Sequence, residues 1–372
     1  MWIGHAVSAS PHRLGIGFAL AADLNLRCRS SNPLAILPPH CTMTPDIDLT
    51  APPEPGLALV SDVAGVARVL CNLSGVGLMD KLTPQRATSR RIQLTLASGD
   101  TITLRVAGAG RPVLMVHGLG GSHHDWDGAL ESLAQQHTIH SFDLLGHGAR
   151  ASSKRLPTLQ QMAHDVAEVI AGLGLERPLL VGHSLGALVV MKYLQDHGAT
   201  QIAGVCLIDQ SPRITNDGQW QLGLFGSLTD GQLKDTLGRL RGDFVETVAS
   251  EFIARLAPLK QARSREALAG RLARWAVAKL ARSCGIEHVL SMLESLVDAD
   301  FRDVIAKVKV PTMVVLGGAS HHYGGLPLEQ YYRNTLPDGT VRMYKQASHS
   351  PHRQEPVRFA ADLTAFAAKR CA

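Results

Sequence analysis

The sequence predicts an α/β protein in which helices cover both faces of a mostly parallel, twisted β-sheet. Two runs of alternating apolar residues near residue 100 are joined by a glycine turn, which indicates an antiparallel hairpin. Short, continuously apolar runs then alternate with amphipathic helical patterns toward the C-terminus. Such alternation is typical of parallel strands that are buried on both faces.

The composition is that of a globular protein with a sizeable core. The 372 residues are 45% hydrophobic and 19% charged, and the net charge of +5 forms no basic stripe, so nucleic acid is not expected as a partner. The six scattered cysteines form no C-x-x-C pair, which favours free thiols in the cytoplasm over disulfides or a zinc site. No apolar run reaches the ~18 residues that suggest a membrane-spanning helix.

Residues 1–55 are predicted to form a disordered extension, because they show no period and end in a proline-rich stretch. Within them, residues 12–21 loosely resemble a signal peptide, but the basic region is weak and Asp23 follows closely. Met43 offers an alternative start, in which case residues 1–42 would not belong to the native protein.

Residues 56–90 repeat apolar positions at helical spacing and predict an N-terminal helical segment packed on the main domain. A helix on a membrane surface is the alternative interpretation, although the polar face lacks the usual lysines and arginines.

The main domain is predicted to cover residues 91–372. Its helices are indicated by helical spacing of Trp126, Leu130 and Leu133, by a capping box of Thr158 with Gln161, by the run after Ser184, and by Phe359, Leu363 and Phe366. Its strands are predicted at residues 91–96, 101–106, 112–116, 138–142, directly before Ser184, and at 204–208, 310–317 and 340–344.

Residues 213–305 interrupt this alternation and are too long for a plain connection. They carry helical patterns at 244–256, 266–281 and 285–296. We therefore predict a helical cap inserted over the carboxyl edge of the sheet, where open α/β sheets place their sites.

The segment Val181-Gly-His-Ser-Leu-Gly-Ala187 contains G-x-S-x-G between a predicted strand and a predicted helix. A serine on such a sharp turn needs Gly182 and Gly186 where a Cβ would clash. The helix that follows directs backbone N–H groups toward the place where negative charge would develop. Ser184 is therefore the candidate nucleophile.

Polar residues follow three other strands: His117 with Gly118, Asp209, and His349. A serine hydroxyl needs an adjacent base, and the base needs a carboxylate that fixes its tautomer. The chain order Ser184, Asp209, His349 is one of the orders in which such triads recur. The alternative interpretation of Asp209 is a residue that caps the turn Asp-Gln-Ser-Pro.

From residue 91 to 369 the chain resembles the α/β-hydrolase superfamily, and within it the haloperoxidase/esterase-like serine hydrolases. The resemblance is carried by Val116-His-Gly118, by Asp143-Leu-Leu-Gly-His-Gly148, by the serine turn and by the segment from His349 to Pro356. It implies that Ser184 is the nucleophile and His349 the general base. It also implies an oxyanion hole formed by the backbone N–H groups of Leu119 and Leu185.

The position of the acid departs from the common pattern of that family. Many members place it in a G-x-x-D turn after the strand that here ends at Leu316, but this chain has Gly317-Gly-Ala-Ser-His-His and no carboxylate before Glu329. An alternative arrangement in that family places the acid after the preceding strand, where Asp209 stands. The resemblance therefore implies Asp209 as the acid that orients His349, with a residue after Leu316 as the alternative. Asp143 is expected to hold its own loop.

The remaining histidines are expected to be neither the catalytic base nor metal ligands. His352 follows the candidate base by three residues, and His183 is expected to pack within the turn. The pairs His123-His124 and His321-His322 lack metal-ligand spacing and are expected at the pocket mouth or in solvent, so neither a metal nor a cofactor is expected.

The predicted function is hydrolysis of a carboxylic ester of a small or medium apolar molecule through an acyl-enzyme on Ser184. The pocket is expected to involve His117, Gly118, His183, Trp220 and Phe225. Acyl transfer, perhydrolysis and lactone hydrolysis at the same triad are alternative reactions, and a ligand-binding receptor without catalysis is the alternative from another class. The oligomeric state stays open.

Overall fold

The computed structural model describes residues 88–244, 246–247, 285–320, 322–323 and 325–371. The predicted disordered extension (1–55) and all but the last three residues of the predicted helical segment (56–90) lie outside the described residues. Most of the predicted cap helix at 244–256 and all of the one at 266–281 also lie outside them.

The main domain contains an eight-stranded sheet in the order β1-β2-β4-β3-β5-β6-β7-β8. The hairpin β1-β2 and the pair β2-β4 are antiparallel, and the other neighbouring strands are parallel. The predicted fold class is thereby confirmed. The strands are β1 Ser89–Thr95, β2 Thr101–Ala107, β3 Arg111–Val116, β4 His137–Phe142, β5 Leu179–His183, β6 Gly204–Ile208, β7 Thr312–Gly317 and β8 Gly339–Tyr344.

Helices connect the parallel strands. Thr158 closes the predicted capping box with Gln161 at the start of α2. None of the helices in the described ranges is long and apolar enough to cross a membrane. The α-helices are α1 Asp127–Leu133, α2 Leu159–Gly172, α3 Leu185–His197, α4 Asp230–Gly242, α5 Ile286–Glu294, α6 Arg302–Lys307, α7 Gly325–Thr335, α8 Pro351–Gln354 and α9 Pro356–Arg370.

The two faces of the sheet are covered by different helix pairs. On one face, α1 packs against α9, and side chains such as Val113 and Met115 of β3 join the same buried cluster as Trp126 and Phe359. Because side chains alternate along a strand, Leu114 points to the opposite face, where α2 packs against α3. Because both faces of the sheet are buried, the sequences of β3, β5, β6 and β7 are continuously apolar.

The described part of the segment between β6 and β7 is tied to the rest of the domain by polar contacts. At its base, the two ends of the segment pair with each other through the backbones of Arg213 and Asp300. Further along, α5 contacts the loop before α2, with His288 Nε2 2.8 Å from the carbonyl oxygen of Ser153. Ser291 Oγ also donates to the carbonyl oxygen of Pro157 over 3.1 Å. These contacts hold α5 beside the carboxyl edge of the sheet.

Candidate active site

Ser184 lies on the sharp turn between β5 and α3 that the sequence predicts. Its backbone angles are φ 52° and ψ −118°, which side-chain-bearing residues rarely adopt, and its amide donates to the carbonyl oxygen of Ile208. A Cβ on Gly182 would collide with the backbone of Gly186, and one on Gly186 with the carbonyl oxygen of Val116. The glycines therefore allow the close approach that holds Ser184 at the end of the strand.

The structure brings Ser184, His349 and Asp209 together. His349 Nε2 lies 2.9 Å from Ser184 Oγ, and His349 Nδ1 lies 2.8 Å from Asp209 Oδ2. The three residues are 8%, 3% and 1% exposed, so these contacts are shielded from water while the serine remains reachable. Low exposure strengthens such electrostatic contacts.

Asp209 follows β6 directly and has a positive φ of 46°, as Ser184 does at the end of the neighbouring strand. Its Oδ1 accepts a hydrogen bond from Gly317 N over 2.8 Å, and its Oδ2 accepts one from Ser320 Oγ over 2.6 Å. Glu329, the alternative carboxylate, lies on α7 and pairs with Arg333 over 2.6 Å. Of the two candidate acids, the structure places Asp209 against His349.

The two residues predicted to form the oxyanion hole, Leu119 and Leu185, lie beside Ser184. Leu119 lies in the turn after β3, and Leu185 is the first residue of α3, so the Leu185 N–H has no acceptor within its helix. Leu119, Leu185 and Ser184 all line one cavity. The predicted oxyanion-hole residues thus line the same cavity as the candidate nucleophile.

That cavity has a volume of about 50 Å³ and lies between the carboxyl edge of the sheet and the segment that follows β6. Its wall is mostly apolar. The sheet side contributes Leu119, Ser184, Leu185, Leu188, Gln210, His322, Tyr323 and His349, and the segment between β6 and β7 contributes Ile214, Leu224, Leu228, Leu233, Met292, Leu293 and Leu296.

None of the five residues predicted to form the pocket lines this cavity. His117 points away because its Nδ1 lies 2.8 Å from the carbonyl oxygen of Gly118 and its Nε2 accepts from Leu144 N over 3.0 Å. Gly118 packs behind Ser184, where a Cβ would meet the ring of His183. His183 Nε2 lies 2.8 Å from the carbonyl oxygen of His349.

The two aromatic residues of that prediction are engaged elsewhere. Trp220 donates its Nε1 proton to the carbonyl oxygen of Arg213 over 3.1 Å and packs edge-on against Tyr331. Phe225 packs against the outer side of His322, at 5.5 Å between ring centroids. Phe225 therefore packs against a residue of the cavity wall, whereas the contacts of Trp220 are with residues outside that wall.

Sequence reasoning did not identify the group of polar side chains that stands beside His349. The ring of His322 stacks on that of His349 at 3.8 Å and 19°. Gln210 donates to Tyr323 OH over 2.6 Å. Burial, and then the nearby Asp209 carboxylate, raise the pKa of Tyr323, so this residue remains a neutral phenol. These side chains carry no distinctive sequence motif, and their positions follow from tertiary packing.

Asp143 holds its loop as expected. Its Oδ1 accepts from His123 N over 2.8 Å and its Oδ2 from Ala149 N over 2.9 Å. Burial opposes ionisation of this carboxyl, but the hydrogen bonds with His123 and Ala149 outweigh it and lower the pKa. Asp143 is thus an ionised residue that joins two loops.

His352 lies against Trp126, at 4.7 Å between ring centroids, and burial lowers its pKa well below the usual range of histidine. It is a neutral packing residue, and His349 is the histidine that reaches Ser184. Within the described ranges, no three His, Cys, Asp or Glu side chains converge as ligands of a metal ion would.

Comparison with known proteins agrees with this architecture. A model of the "Alpha/beta hydrolase family" matches residues 113–362, about two thirds of the chain. An esterase from Exiguobacterium antarcticum superposes with a TM-score of 0.60 at 19% identity, over 75% of this chain and all of that one. At that identity, the similarity shows the fold alone.

Two curated relatives are similar in sequence. The chain is 27% identical over 259 residues to the pimeloyl-[acyl-carrier protein] methyl ester esterase of Chromobacterium violaceum, which covers 68% of this chain and 94% of that protein. It is 36% identical over 120 residues to a non-heme haloperoxidase of Rhodococcus erythropolis, which covers 32% of this chain. This match spans 44% of the haloperoxidase, and those to uncharacterized mycobacterial proteins span 30% of their length.

Proposed function

Because this chain belongs to the α/β hydrolase family, we propose that it is a serine hydrolase that cleaves carboxylic esters of small apolar molecules. The observation that carries the proposal is the unbroken line of contacts from Ser184 Oγ through both ring nitrogens of His349 to Asp209. A serine, a base and a buried carboxylate in this order are what acyl transfer through a covalent intermediate needs.

The contacts define a role for each side chain. Ser184 Oγ attacks the ester carbonyl carbon while His349 Nε2 accepts the hydroxyl proton, and Asp209 stabilises the resulting imidazolium at Nδ1. His349 then gives the proton to the alkoxide oxygen of the departing alcohol, which leaves an acyl group on Ser184. Water attacks this acyl-enzyme with the same base, and the carboxylic acid and free serine are released.

The developing oxyanion is assigned to the backbone N–H groups of Leu119 and Leu185, which flank Ser184 in the cavity. Each donor of this kind typically contributes about 3 kcal/mol of transition-state stabilisation. The side chain of His117 supports the first donor, because it contacts the carbonyl oxygen of Gly118, and that carbonyl shares a peptide plane with the Leu119 N–H.

The cavity supports a short acyl group. A cavity needs about 10–15 Å³ to hold one water molecule. A cavity of about 50 Å³ therefore admits roughly four non-hydrogen atoms. Its apolar wall favours an alkyl chain over a charged one, since an unpaired charge is costly to bury.

We expect nitrophenyl esters to be hydrolysed with the highest kcat/KM between acetate and butyrate, and at least roughly tenfold more slowly at octanoate, because the extra methylenes exceed the volume of the cavity. Leu233→Ala should enlarge the cavity and raise the octanoate-to-butyrate ratio about tenfold. Leu240→Ala is the matched control, because Leu240 is equally buried on α4 but does not line the cavity. Steady-state kinetics of the three proteins provide the test.

A preference for long chains in the wild type, or an equal shift in both leucine variants, would contradict the assigned cavity. No hydrolysis of any ester would instead favour a receptor that only binds. The alternative reactions are tested in the same assay with methanol or hydrogen peroxide as the acyl acceptor, and with a lactone in place of the ester substrate. The assay with hydrogen peroxide is included because the chain is similar in sequence to a non-heme haloperoxidase.

A further inference from the structure

The turn after β7, residues 317–320, is fixed against the segment that carries His349. Gly318 N donates to the carbonyl oxygen of Tyr344 over 2.8 Å, and Ala319 N donates to that of Ala347 over 2.9 Å. A Cβ on Gly317 would collide with the carbonyl oxygen of Ser348. Because its backbone is held in this way, the turn presents the hydroxyl of Ser320 from a defined position.

That hydroxyl is directed at the carboxylate behind the base. Ser320 Oγ donates to Asp209 Oδ2 over 2.6 Å, the same oxygen that lies 2.8 Å from His349 Nδ1. The amide of His322 donates to Ser320 Oγ over 3.3 Å, so the serine oxygen accepts from one side while its proton goes to Asp209. One carboxylate oxygen is thus shared between a serine and the base.

This sharing has two physical consequences. A second donor restricts the rotation of the carboxylate, which keeps Oδ2 aligned with Nδ1 and the ring of His349 aligned with Ser184. It also draws charge away from Oδ2, so Asp209 stabilises the protonated imidazole less strongly than it would with His349 as its sole partner on that oxygen. Removal of this donor should therefore strengthen the contact between Asp209 and the imidazolium and move the acidic limit of activity toward higher pH. The other titratable groups that face His349 are His183, His322 and Tyr323, at 4.9, 3.8 and 6.5 Å between ring centroids, and a substitution at Ser320 changes none of them.

We propose that Ser320 is a positioning residue of this site, which holds Asp209 Oδ2 on the base and sets the acidic limit of activity. The inference rests on the proposed serine-hydrolase function. A purely structural role of Ser320 in the turn is the competing interpretation, and the two differ in their effect on the pH profile.

The test compares Ser320→Ala and Ser320→Thr with the wild type, using nitrophenyl butyrate between pH 5 and 9. In Ser320→Ala we expect kcat to fall roughly tenfold with KM within about twofold, and the acidic limb of kcat/KM to move about half a unit toward higher pH. Ser320→Thr keeps the hydroxyl and should recover both values. Thr138→Val, which removes a hydroxyl that donates to Gly110 O at the opposite edge of the sheet, is the control.

The proposal is overturned if the acidic limb of Ser320→Ala coincides with that of the wild type, or if Ser320→Thr loses as much activity as Ser320→Ala. Thermal midpoints identify a variant that does not fold. If Ser320→Ala does not fold, Ser320→Cys takes its place. The thiol is a weaker hydrogen-bond donor than the hydroxyl, so this variant must also move the acidic limb of kcat/KM toward higher pH. An inactive wild type would refute the proposed function itself, and the proposal with it, whereas an active wild type with unchanged variants refutes this inference alone.

Discussion

His349→Ala is expected to lower kcat by about 10⁶-fold, to the level of Ser184→Ala, because a nucleophile and its base act as one unit. The double variant should lose no more than either single variant. Steady-state kinetics on a short-chain nitrophenyl ester measure all three, and KM should change little in each because neither residue is needed to bind the apolar chain.

The matched control for this prediction is His352→Leu. His352 is also a buried histidine, but it packs on Trp126 and belongs to the core beneath the turn. Its replacement should lower the thermal midpoint while kcat stays within about tenfold of the wild type. An additive loss in the double variant, or a larger loss in His352→Leu than in His349→Ala, would contradict the assigned base.

Asp209→Asn is expected to lower kcat by about 10⁴-fold. The amide keeps the shape of the carboxylate but can neither stabilise the imidazolium nor impose the tautomer that leaves Nε2 free to accept the serine proton. The same kinetic assay, repeated across pH, measures the loss.

Glu329→Gln is the control for the acid, because Glu329 carries the carboxylate that the alternative assignment would use. In the structure it pairs with Arg333 on the outer side of α7, so its neutralisation should leave kcat within about twofold. The reverse pattern, in which Glu329→Gln is inactive and Asp209→Asn is active, would move the acid to the loop after β7.

The sheet and the serine turn could be predicted because their signals are local. Strands buried on both faces need continuous apolar runs, and the turn needs Gly182 and Gly186 where backbones approach closely. Asp209 could be singled out because it ends a strand and because the next turn lacks a carboxylate. Its positive φ and its contact with Gly317 N are tertiary features that only the structure shows.

The residues that line the cavity could not be predicted from the sequence, because a position near a strand end does not determine the direction of the side chain. Trp220 and Phe225 are large and apolar, yet neither lines the cavity, and only Phe225 packs against a wall residue, His322. The residues that do form the wall come from the start of α3, from α4 and α5, and from the loops after β3, β6, β7 and β8, so their meeting depends on long-range packing.

The helix α7 and the contacts before it also escaped prediction. Only Leu328 and Tyr332 of α7 are buried, which is too short an apolar stripe to give a helical period. Ser320 and His322 carry no distinctive motif, and their contacts with Asp209 and His349 follow from the close pairing of the β7 turn with the β8 loop.

The central claim is that Ser184 is a nucleophile that forms a covalent intermediate. The most direct measurement is the intact mass of the full-length protein after treatment with a fluorophosphonate, followed by peptide mapping. The account predicts a single phosphonyl adduct on the peptide that contains Ser184, no adduct in Ser184→Ala, and labelling slowed by about 10³-fold or more in His349→Ala. An unlabelled wild type, or an adduct that persists in Ser184→Ala, would contradict it.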